Sequence, residues 1–186
     1  MALILNIPLK EEVRSLLEMG GSGGRVMPLV CRGPSNAEAA RRLRGAKAER
    51  LFAGAVSPEG ALAGLWLYLS CFEECHGVAQ DLATVEGSYW HAILHRQEPD
   101  GWNAGYWFRR VGRHGIFEPL AEEAGRLAAG YPGAKALDTA QWVPERFIGY
   151  CADAREAPGS ETEALACAIQ EAEWRLLFAW CARVRG

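Results

Sequence analysis

His91 and His95 stand four residues apart, and residues one helical turn apart project from one face, where two imidazoles can converge on one ion or substrate. His76 lies upstream, and Glu73 precedes it at the Glu-x-x-His spacing with which helices offer a carboxylate and an imidazole inward to a metal. The chain's other histidine, His114, falls close behind, a clustering that random scatter seldom produces. The expected ligands of a divalent metal, zinc or else iron or manganese, are His76, His91 and His95, with Glu73 as the fourth. Three protein ligands leave a coordination position for a water that the metal makes acidic. Glu98 continues the same face but lies about 10 Å along the axis from His91, at ~1.5 Å per residue. It is therefore read as a carboxylate that supports a ligand or acts in acid–base chemistry, rather than as a ligand itself, and His114 is the second catalytic candidate. No glutamate follows His91 directly, so the zinc-protease helix is not indicated.

Four arginines surround this group, and a guanidinium binds a carboxylate or phosphate through two parallel hydrogen bonds. Arg96 and Arg110 are the candidates to orient a small anionic substrate, with Tyr106 and Trp107 lining its pocket. A plainer alternative stays open: Arg96 pairs with Glu98 or Asp100, the aromatics pack helices, and the arginine-rich composition (17 Arg against 3 Lys) reflects coding bias. Cys71 and Cys75 are also one turn apart and near His76. Soft thiolates could join a metal or be activated by His76, although small buried packing residues explain them more simply.

These side chains need a scaffold, and the apolar pattern supplies helices. Pro8 to Met19 has helical spacing and stops at Gly20-Gly21-Ser22-Gly23-Gly24, a flexible connector that lacks the Gly-Lys-Ser/Thr ending of a phosphate loop. Ser35 or Asn36 caps a short helix through Arg44. Ser57-Pro58-Glu59 starts a helix with a capping hydroxyl, a proline at the first position and a carboxylate at the positive end of the dipole. From Ala61 to Phe72 nearly every residue is apolar, so this rod should be buried on all sides and should run on to about Leu82. Thr84 then caps a helix to Gln97, Pro99 ends it, and Asp100 or Asn103 caps another to about Gly112. Phe117 to Ala129, Pro144 to Glu156 and an amphipathic Glu161 to Val184 follow. The short connection at Ala83 forces an antiparallel pair that sets His76 and His91 at nearly the same height. No alternating stretch of strand length occurs, so the fold class is all-α: a single helical domain of about seven helices, less regular over 1–56 and a helical core over 57–186.

A chain of 186 residues, 49% hydrophobic, fills one such domain, and a net charge of -3 gives no overall positive field for nucleic acid. The N-terminus lacks the pattern of a secretory signal, no apolar run is long enough for a bilayer, and none of the six cysteines forms a Cys-x-x-Cys pair. A cytoplasmic protein with reduced thiols is expected.

The run Tyr89-Trp90-His91-Ala92-Ile93-Leu94-His95-Arg96-Gln97-Glu98-Pro99-Asp100, followed by Asn103-Ala104, Tyr106 to Gly112 and His114, resembles a family of bacterial and fungal proteins. That family shares a Trp-His-x-x-x-His-Arg-x-Glu-Pro-Asp signature and has no assigned activity. Gly115 stands where its pattern would place proline. The resemblance sharpens the location of a site and implies no reaction. Two functions follow from the residues: a metal-dependent enzyme acting on a small anionic molecule, or a non-catalytic binding module whose polar cluster is a hydrogen-bond network joining helices. Metal-free acid–base chemistry by His95 and Glu98 is a third.

Overall fold

A computed structural model describes residues 7–21 and 26–184; Ser22 to Arg25, which include part of the expected glycine connector, lie outside them. The described residues form ten helices and no strand beyond one isolated bridge, Ala55 to Val184. They are α1 Glu11–Met19, α2 Ala37–Leu43, α3 Ala48–Leu51, α4 Pro58–Tyr68, α5 Phe72–Asp81, α6 Val85–Gln97, α7 Gly101–Val111, α8 Phe117–Ala128, α9 Pro144–Arg155 and α10 Glu161–Ala182. The expected all-helical class holds, while the count of about seven is too low. The one-turn α3 escaped the pattern, and the expected rod from Pro58 to Leu82 is two helices.

The break in that rod is a capping motif built without glycine. Cys71 N–H donates to Trp66 C=O at 3.0 Å and Ser70 N–H to Leu67 C=O at 2.9 Å, the paired bonds that close a helix when the next residue turns left-handed. Ser70 takes that conformation, with φ +55°. Glycine usually fills this position, so its absence hid the stop. His76 therefore sits on a separate short helix rather than on the buried rod.

From Gly60 to Tyr68 every residue of α4 is buried, and the chain is assembled around it. Trp174 of α10 donates its indole N–H to Gly64 C=O at 2.7 Å and stacks on Phe178 at 4.9 Å, while the Trp90 ring of α6 presses on the same glycine. Bonds from Val56 N–H to Arg183 C=O and from Ser57 N–H to Cys181 C=O tie the end of α10 to the start of α4. A second apolar cluster gathers α8, α9 and the first half of α10 around Leu120, Phe147, Cys151 and Ile169. Within 1–56, Val13, Leu16, Leu17 and Leu43 join the main core, so α1 and α2 pack on it rather than trail from it.

Caps fix where the site-bearing helices begin. Thr84 Oγ1 accepts from Gly87 N–H at 3.2 Å, and Asp100 accepts from Asn103 N–H at 3.0 Å. Between α5 and α6 the chain turns so tightly that a Cβ on Gly87 would lie 2.1 Å from the Leu82 carbonyl oxygen. Only glycine fits there, and the antiparallel pair depends on it. No helix among the described residues is long and apolar enough to cross a membrane.

A Cβ at position 64 would fall 2.6 Å from the Trp90 ring and 3.1 Å from Phe178, both fully buried. Gly64→Ala is therefore expected to destabilise the chain by roughly 1–3 kcal/mol through overpacking. Urea denaturation monitored by circular dichroism measures it, and an unchanged midpoint would show that this seam yields.

Candidate functional site

His76 from α5 and His91 and His95 from α6 converge. One ligand nitrogen from each lies within 4.8 Å of the other two, and His76 Nε2 and His91 Nε2 are 3.1 Å apart, joined by a hydrogen bond. Zinc–nitrogen bonds of about 2.0–2.1 Å place ligand nitrogens ~3.3 Å apart in a tetrahedral site, so shifts of about 1.5 Å or less would seat an ion. The donor set, three imidazoles from two helices, suits zinc and also iron or manganese.

Each ring is held differently. His95 Nδ1 pairs with Glu98 Oε2 at 2.9 Å, which orients the ring and leaves its Nε2 to the cluster. That is the supporting carboxylate with which proteins fix a ligating histidine. The turn at Pro99, in which Asp100 N–H returns to His95 C=O, keeps Glu98 at this end of α6. His91 is 2% exposed and lies between two planes, stacked on Trp107 at 4.0 Å and on His95 at 4.8 Å. Its Nδ1 has no hydrogen-bond partner in the protein. Burial, with His76 and His95 adding to it, holds the His91 imidazole down at about 4. His76 meets both rings edge-on, with centroids 4.5 Å from His91 and 5.9 Å from His95.

Other expected site residues fall elsewhere. Glu73 is exposed and outside the converging group, so α5 contributes its imidazole alone. His114 sits before α8, where its Nδ1 accepts from Ile116 N–H and its ring lies against Tyr89 and Trp180. It belongs to a different part of the surface from the three converging rings, and burial lowers its pKa. The neighbouring Gly115 is explained by the same packing, because a Cβ there would meet the Trp180 ring at 2.7 Å. The Cys75 thiol is fully buried and pushed up by desolvation, which removes it as a nucleophile.

Arg96 is corrected most sharply. It is 1% exposed and bonds Glu173 of α10 at 2.5 Å, so it cannot reach a substrate; neither Glu98 nor Asp100 is its partner. Tyr89 donates to the other Glu173 oxygen at 3.0 Å, and the Arg96 guanidinium lies over the Phe147 ring. An amphipathic reading of α10 leaves Gln170 and Glu173 on its polar side, whereas both are buried. Two polar residues three apart on a face of Ile169, Ala172 and Trp174 are the signal that could have found them. Arg110, by contrast, is exposed and rests over Trp107, 5.2 Å from the ring centre. Tyr106 is 40% exposed and meets Trp107 edge-on. The result is a column, Arg110 on Trp107 on His91 on His95, leading from solvent into the cluster.

Arg96→Ala would strand the Glu173 carboxylate in the core and is expected to cost roughly 3–5 kcal/mol, with the Arg96→Met, Glu173→Leu double variant recovering much of it. Thermal melts of the three proteins decide this. For His91, a folded pKa near 4 lies below the ordinary value of 6.5. Unfolded chains take up a proton that the folded protein refuses, so stability is complete above pH 6.5 and declines as pH falls toward 4. In chelator-treated protein the decline from this residue should be about 3 kcal/mol, and His91→Gln should flatten it. Equal slopes for both proteins would assign acid lability to other groups.

Comparison with known proteins gives no match: no family model, no curated protein and no solved structure is significantly similar to this chain.

Proposed function

We propose that the chain is a metal-dependent enzyme whose centre is His76, His91 and His95. The observation that carries this reading is the convergence of three imidazole nitrogens within 4.8 Å, one of them oriented by a carboxylate at 2.9 Å. A divalent ion held by three histidines keeps a position for water and lowers the pKa of that water toward 7, which makes hydrolysis the reaction class that suits the set. Glu98 holds the proton on His95 Nδ1, so it fixes the tautomer that leaves Nε2 free to bind. It is partly exposed and can also exchange protons with a reacting group. Trp107 shields the buried His91 and restricts water on that side. An anionic substrate would meet Arg110 rather than Arg96, because Arg96 is committed to Glu173.

A second reading is favoured by two specific observations. The imidazoles of His76 and His91 already satisfy each other at 3.1 Å, and His91 Nδ1 lacks the acceptor that a ligating histidine normally has. On this reading the cluster is a polar network joining α5, α6 and α7 in a non-catalytic binding module.

Metal content of protein purified without an affinity tag, followed by zinc titration, separates the two. The enzyme reading expects about one ion per chain, lost in His95→Ala, and binding weakened about 10–100-fold in Glu98→Gln. A stoichiometry near zero that zinc soaking cannot raise, together with a large loss of stability in His91→Ala, would leave the network.

A further inference from the structure

The outward face of α7 carries side chains that neither the core nor the histidine cluster uses. Trp102 is 75% exposed and Tyr106 40%, and their rings lie one turn apart, with centroids separated by 6.3 Å and planes within 12° of parallel. Arg109 and Arg110 follow, both exposed. At ~100° and ~1.5 Å per residue the four fall within about 100° around the helix and about 12 Å along it, so they form one stripe. Arg110 rests over the Trp107 ring, 5.2 Å from its centre, which steadies the guanidinium at the edge of that stripe.

Charge is unbalanced here. Nine other arginines among the described residues pair with a carboxylate, but neither Arg109 nor Arg110 does. No acidic residue occurs in α7, and the carboxylate at its start, Asp100, is committed to Asn103. A guanidinium has only donors, arranged in a fork that matches a phosphate, so two of them without a counter-charge suit a phosphate-bearing partner. What the stripe lacks narrows the partner further. It has no aliphatic side chain to bury among lipid chains, as an interfacial helix needs. It offers no strand edge, and Trp102 stands out from the surface rather than lining a groove that could seat a peptide helix. Parallel rings beside unpaired arginines match a chain in which flat rings alternate with phosphates. Stacking on an aromatic face is open to every base, and a single strand is the form whose bases are free to leave their own stack.

We infer that the outer face of α7 is a docking surface for single-stranded nucleic acid, with bases stacked on Trp102 and Tyr106 and phosphates held by Arg109 and Arg110. A duplex keeps its bases paired inside and offers these rings nothing. The chain's net charge of -3 makes no field that would draw a strand in from a distance, so binding depends on contacts at the stripe itself. Two phosphate contacts at ~0.7 each give a slope of about -1.4 for log affinity against log salt. The inference goes beyond the metal centre and does not require it.

A fluorescein-labelled DNA strand of about ten nucleotides, within the site sizes of single-strand binders, is titrated into the full chain after chelator treatment and read by anisotropy. It should bind at least about tenfold tighter than the same sequence as a duplex, and than a polyglutamate peptide of equal charge. Trp102→Ala and Tyr106→Ala should each weaken it about tenfold, whereas Tyr106→Phe, which keeps the ring, should bind like the native chain. Replacing Arg109 and Arg110 together by Gln should flatten the salt dependence. All four side chains face water, so circular dichroism should find every variant folded. No binding of the strand, unchanged binding in Trp102→Ala, or a duplex held as tightly as the strand would each overturn the inference. Equal binding of polyglutamate would overturn it in favour of an acidic protein partner. Because the titration uses metal-free protein, absence of a metal leaves this surface standing, and failure of the strand in a protein that binds zinc leaves the metal centre standing.

Discussion

The rotation of α6 about its own axis is the constraint on which the site depends, and Glu173 sets it. Tyr89 and Arg96 are seven residues apart, two turns of one face, and each grips one oxygen of that carboxylate. His91 and His95 lie roughly 200–240° around the axis from Tyr89, at ~100° per residue, and so face away from α10 toward α5 and α7. One buried anion, contributed by the longest helix, thereby orients the imidazoles on the opposite side of another helix. Removal of a buried partner in such a pair is costly because the remaining charge is stranded, so the orientation is strongly specified.

The second determinant is the closeness of α5 to α6. The turn at Leu82 to Thr84 and the bare backbone of Gly87 allow the two helices to run back along each other, which brings His76 to the height of His91. The break at Ser70 turns α5 out of the line of α4, and the helix that carries His76 packs against both α4 and α6 through Cys75 and Ala79.

Much of this was legible in the residue pattern. Asn36, Thr84 and Asp100 mark three helix starts by the chemistry of their side chains, and each accepts the expected backbone bond, whereas the expected Ser57 hydroxyl makes no capping bond. The convergence of His76 with His91 followed from counting residues outward from a short turn. What the pattern hid was non-local or irregular. Arg96 meets a partner 77 positions away, which no local spacing reveals. The stop after α4 uses a serine in a conformation that glycine normally marks. Glu73 has the right spacing to His76, but the helix face it occupies is turned to solvent.

The column that stacks Arg110, Trp107, His91 and His95 face to face couples an indole to the cluster's most buried imidazole at 4.0 Å. Indole emission responds to charge and to proton donors against its face. A change in the charge of His91 would therefore register in the light emitted by Trp107, which gives the histidine cluster an optical gauge of its own.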